Sequence, residues 1–120
     1  MEASYSVTPD KSRNLARVKM AGFFDQKDVQ EFAATYRQVL SHLKARGHLT
    51  LVDITGMSIQ AQDIVGAFAA LLASPDVRSR RLAFVCSSSL ARLQAQRLTD
   101  RDEVEFFDRM GDAEAWLFTS

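Results

Sequence analysis

Two short runs of nearly uninterrupted apolar residues constrain this chain more than any other feature. Residues 49–54 hold Leu49, Leu51, Val52 and Ile54, and residues 82–86 read Leu-Ala-Phe-Val-Cys. A strand with one wet face alternates apolar and polar side chains, so a strand apolar on both faces is covered on both. Such strands belong to parallel sheets, whose crossover connections lay helices over the faces. The chain between the runs should therefore hold a helix.

The flanking segments agree. Over 25–46, Val29, Phe32, Ala33, Tyr36, Val39, Leu40 and Leu43 recur at helical spacing. Asp25 reads as the N-cap and Gly47 as a left-handed stop. Asp28 and Glu31 lie toward the positive end of this helix, and Arg37, Lys44 and Arg46 toward its negative end. After a turn at Thr55, Gly56 and Ser58, the spacing predicts a second helix over 61–72, closed by Ser74 and Pro75. Ser87–Ser89 offer N-caps for a third helix carrying Leu90, Leu93 and Leu98. Residues 104–107 read as a last strand, and Asp112 as the cap of a short terminal helix ending at Trp116 and Leu117. At the other end, 4–8 alternates around Tyr5 and Val7, Pro9, Asp10 and Ser12 read as a turn, and 15–21 alternates again. The expected architecture is α/β, a single domain over residues 1–120. Its mixed sheet has a leading antiparallel hairpin followed by β-α repeats, in the order β-β-α-β-α-β-α-β-α.

Composition narrows the function classes. The chain has 120 residues, with 15 Lys+Arg against 15 Asp+Glu and 47% hydrophobic residues. That balance excludes intrinsic disorder, and zero net charge argues against a nucleic-acid partner. No run approaches the roughly 20 apolar residues of a membrane span. One cysteine allows no internal disulfide, and residues 1–10 lack the basic start and apolar core of a signal peptide, so the expected location is cytoplasmic. The charges are segregated, however. Arg78, Arg80, Arg81, Arg92 and Arg97 occur with no acid among them, and Asp100, Asp102, Glu103, Glu105 and Asp108 follow. The basic block reads as a solvated face or as a contact for an anionic partner.

Three stretches together resemble the STAS group (sulfate transporter and anti-sigma-factor antagonist domains), in its SpoIIAA-like bacterial branch. They are Leu-Thr-Leu-Val-Asp53-Ile-Thr-Gly56-Met-Ser58, then Arg81-Leu-Ala-Phe-Val-Cys86-Ser-Ser-Ser-Leu90, then Val104-Glu-Phe-Phe-Asp108 with Asp112-Ala-Glu-Ala-Trp116-Leu117. The resemblance implies a regulatory or binding module whose partner meets the start of the second helix. In antagonists of this group, that helix start carries a serine phosphorylated by a kinase. Here the matching positions are Ala61, Gln62, Asp63 and Ile64, without a hydroxyl, which implies loss of the phospho-switch.

The residues themselves support a surface at the same place. Between 60 and 74 the sole charge is Asp63, and Gln62, Gly66, Ala67, Ala70 and Ala73 fill the side where a charged outer face belongs. A partner surface and cover by neighbouring elements both explain this. The expected docking residues are Gly56, Met57, Ser58, Gln62 and Asp63. Cys86, Ser87 and Ser88 join them by the rule that α/β sheets bind ligands beyond their strand C-termini. The occupant is a protein partner or small ligand, with a homodimer as a further option. No cofactor, metal or catalytic residue is expected. Two alternatives remain. Phe23, Phe24, Phe68, Phe106 and Phe107 could line a cavity for an apolar ligand, as in CRAL-TRIO lipid carriers. Cys86 and Arg92 have the spacing of a cysteine phosphatase loop, but without glycine between them and without histidine before the cysteine.

Overall fold

Five strands form one sheet in a computed structural model that describes residues 2–44 and 47–119. They are β1 (Ser4–Asp10), β2 (Leu15–Gly22), β3 (Leu49–Met57), β4 (Arg81–Val85) and β5 (Val104–Phe107), lying side by side in sequence order. β1 and β2 are antiparallel, and the remaining pairs are parallel. The crossovers are α1 (Gln26–Leu40), α2 (Gln62–Ala73) with a 3-10 turn at Pro75–Val77, and α3 (Ser89–Gln96). A sheet that always steps the same way, through right-handed crossovers, puts all its crossover helices on one face. The terminal helix α4 (Met110–Leu117) covers the other.

This layering explains the two apolar runs. Val52, Ile54, Leu82 and Phe84 face the three crossover helices, while Leu49, Leu51, Ala83 and Val85 face Ala113 and Leu117 of α4. On the larger side Phe32 is the hub of an aromatic group. Its ring lies 5.3 Å from Tyr5, 5.9 Å from Tyr36 and 6.0 Å from Phe68. The α4 side is pinned by polar contacts. Arg81 donates to the carbonyls of Trp116 and Thr119, both at 2.7 Å, and Arg17 pairs with Glu114 at 2.7 Å.

Element boundaries differ from the sequence expectation in ways that have causes. β1 runs through Pro9 and Asp10, because an edge strand can direct the missing proline N–H to solvent. Asp25 caps α1 as expected, in a reciprocal box with Asp28. The helix stops at Leu40, however, well short of Gly47. There the chain is drawn to the hairpin turn, where the Asn14 side chain exchanges two hydrogen bonds with the Lys44 backbone. Ala45 and Arg46, the expected last turn, lie outside the described residues. Thr55 and Gly56 belong to β3 and not to a turn, since Gly56 pairs with Ala21. α4 begins with Arg109 as its N-cap, and Asp112 lies within its first turn. The largest departure is α3. Leu90 and Leu93 are exposed, and Ala91 and Ala95 are the residues it buries. Among the described residues, no helix is long and apolar enough to cross a membrane.

Candidate functional site

The C-terminal ends of β2 and β3 meet the starts of α1 and α2. Gly22 closes β2 at φ +84, and a Cβ there would lie 2.1 Å from the Glu2 carbonyl oxygen, so both its backbone angle and its surroundings require glycine. Its own carbonyl accepts from Ser58 N–H at 3.1 Å. Gly56 beside it comes so close to β2 that an added Cβ would meet the Ala21 Cβ at 3.1 Å. The register ties Gly56 and Met57 to β2 alone, since β3 pairs with β4 only as far as Asp53.

A buried amide fastens this corner. The Gln60 Oε1 accepts from Phe24 N–H at 2.8 Å, and its Nε2 donates to the Gly22 and Ser58 carbonyls. The Gln60 backbone in turn exchanges two bonds with the Gln94 side chain of α3, at 2.8 and 2.9 Å. One residue thus joins β2, the β3–α2 loop and α3. With its amide fully matched, its burial carries no unsatisfied group.

α2 starts without a side-chain cap, because its N-cap is Ala61. Gln62, Asp63, Gly66, Ala70 and Ala73 are exposed, and Ala67 is half-buried against the core. The outward face is therefore largely open and not covered by the rest of the chain. Gln26 of α1 donates to Asp63 at 3.2 Å, across an open depression of about 480 Å³ edged by Phe23, Lys27 and Ile64. Phe23 is 47% exposed and Ile59 43%, so two large apolar side chains flank the helix start.

The other expected residues stand elsewhere. Cys86 follows the last residue of β4, donates its N–H to the Phe107 carbonyl and is buried. Burial pushes its thiol pKa up, which disfavours a thiolate nucleophile. Arg92 donates to the Phe106 carbonyl and approaches Asp108 at 3.9 Å, which is the role of a cap on the edge strand. Ser88 caps α3 by accepting from Ala91 N–H. Because the strands lie in sequence order, the sheet has no point where crossovers diverge. The crevice on which the strand-end rule depends is therefore missing.

The five phenylalanines do not line one cavity. Phe23 is exposed, Phe24 packs 5.5 Å from Phe68 in the core, and Phe107 lies on the α4 side against Trp116. An apolar cavity of about 80 Å³ does exist, between the sheet and the crossover helices, walled by Val52, Phe68, Phe84, Ala91 and Ala95. Tyr36 and Thr50, whose hydroxyls lie 2.9 Å apart, are also among its lining residues. Burial pushes the Tyr36 phenol up to about 12, so it remains a donor at any physiological pH.

Sequence reasoning missed Gln60 and Ile59, and placed Phe23 on a cavity wall where the structure exposes it. A signal for Phe23 was present: β2 buries Val18, Met20 and Gly22 in alternation, so Phe23 falls on the outward parity. Nothing local marks Gln60, whose partners lie 34 to 38 residues away apart from Ser58.

No family model matches the chain, and no curated protein matches it in sequence. Among solved structures, it is similar to an uncharacterized protein of the DUF3478 family with a SpoIIAA-like fold, from Shewanella loihica PV-4. The two are 20% identical, with a TM-score of 0.74 over 98% of this chain and 96% of that one. It is also similar to an anti-sigma factor antagonist from Mycobacterium paratuberculosis, at 12% identity and a TM-score of 0.64, over 97% of this chain and 96% of that one. The fold is thus the STAS, SpoIIAA-like fold that the sequence motifs anticipate.

Proposed function

We propose that this chain is a non-enzymatic regulatory module that docks a protein partner on the surface around the start of α2. One observation carries the reading: α2 presents an exposed face of small uncharged residues, flanked by exposed Phe23 and Ile59. A soluble domain rarely leaves such a combination open without use. The core of the docking surface is Gly56, Gln62 and Asp63, with Met57 and Ser58 half-buried behind them. The anti-sigma factor antagonist among the similar folds supports a regulatory role, and zero net charge favours protein over nucleic acid as partner. With Ala61, Gln62 and Asp63 at the helix start, docking here does not depend on serine phosphorylation at that point. The module operates in the cytoplasm without cofactor or metal.

The test uses Gln62→Arg and Ala70→Arg, two charges placed on exposed positions that leave the core intact. A partner identified by affinity capture with the wild-type protein should be lost by both variants. Capture undiminished in both would place the interaction elsewhere. Light scattering of the purified chain separates a second copy from a foreign partner, because only self-association follows protein concentration alone.

A further inference from the structure

α3 is built inside out. Leu90 and Leu93 are 60% and 59% exposed, while the side turned to the sheet carries only Ala91 and Ala95. Methyl groups stand where leucines would reach the sheet, and the space left over is the apolar cavity of about 80 Å³. We propose that this cavity binds a slender, unbranched alkyl chain bearing one uncharged hydrogen-bond acceptor, such as a ketone, ester or ether.

Three properties of the cavity set that chemistry. The first is size. An apolar cavity of ~150 Å³ takes up benzene, so one of about 80 Å³ is too small to enclose a ring and holds only the leading few atoms of an unbranched chain. The second is charge: no lining residue is ionisable in the ordinary pH range, so a carboxylate drawn inside would lose its hydration with no cation to offset the cost. The third is a spare donor. Tyr36 and Thr50 have two O–H groups between them and share one hydrogen bond, and among the described residues neither has another partner. One buried O–H is therefore free to meet an acceptor. The chain's tail would leave by the half-buried side chains of Met57 and Leu98, next to the Gln60–Gln94 pair.

The experiment measures 2-heptanone, heptanoate and cyclohexyl methyl ketone by ligand-detected NMR, at a pH where heptanoate is ionised. Wild type should bind 2-heptanone, and the other two at least about tenfold more weakly, a factor equivalent to a single lost interaction of ordinary strength. Ala95→Leu and Ala91→Leu/Ala95→Leu fill the space and should reduce 2-heptanone binding by about tenfold or more. Tyr36→Phe/Thr50→Val removes both hydroxyls at constant shape and should weaken it by about two- to tenfold. The proposal fails if wild type does not bind 2-heptanone, if the filled variants bind it equally, or if heptanoate matches it. Unchanged affinity in Tyr36→Phe/Thr50→Val removes the acceptor from the proposal. Gln62→Arg and Ala70→Arg lie outside the cavity and should leave 2-heptanone binding intact, so failure of docking and failure of ligand binding are read separately.

Discussion

The two faces of the sheet are finished differently. Under α4 the layer is thin and tightly closed: Leu15, Ala83, Ala113 and Leu117 are wholly buried, and Arg81 and Arg17 tie the helix down from the strands. Under the three crossover helices the layer is larger and aromatic, yet it retains a cavity, and its last helix turns leucines outward. The contrast teaches where the fold is held and where it has room. Interior packing is normally close to crystalline, so the empty space beside the crossover-helix layer points to different demands on the two layers.

The comparison can be tested directly. The largest effect is expected for Leu117→Ala, which should cost about 2–5 kcal/mol in urea unfolding, because the closed layer cannot collapse around the hole. A small loss there would mean that the α4 layer is less rigid than its burial implies. A paired experiment is sharper. Ala113→Leu overfills the closed layer and should destabilise by about 1–3 kcal/mol. Ala95→Leu makes the same chemical change in the open layer and should gain about 0.5–2 kcal/mol, as cavity filling commonly does. Equal penalties for the two variants would erase the distinction between the faces.

The smallest effect is in acid. His48 is fully buried just before β3, near the Val77 backbone, and neither ring nitrogen makes a well-formed hydrogen bond among the described residues. Burial pulls its pKa below the usual 6.5. A group whose folded pKa is depressed takes up its proton more readily when unfolded, so stability is complete above about pH 6.5 and is lost as pH falls from there through the folded value. Urea midpoints should drop between pH 7.5 and 5.5 in the wild type, and less in His48→Phe. The same drop in both would assign the acid sensitivity to another group.

Much of the architecture was legible in the chain because it depends on patterns that local burial imposes. The apolar runs at 49–54 and 82–86 required cover on both sides, and the sheet supplies it with crossover helices on one face and α4 on the other. The α1 stripe and its Asp25 cap were likewise written in periodicity. The orientation of α3 was not. Leu90 and Leu93 form a stripe at helical spacing, and so do Ala91 and Ala95. Hydrophobicity alone favours the leucines, yet the helix turns its alanine stripe to the sheet. The docking surface was half legible. An uncharged α2 can be read from composition, but the Gln60 fastening that sets its approach depends on Phe24, Gly22 and Gln94, remote in sequence.

The sequential strand order has a kinetic consequence. Each strand after the first adds to the edge left by the one before it, so the sheet can lengthen in the direction in which the chain leaves the ribosome. No later segment must be inserted between two strands already paired. Loop-closure entropy is then met in short instalments, one crossover at a time, and not in one long-range step. In that order β5 and α4 would join last, with α4 covering a face that earlier strands had already laid out.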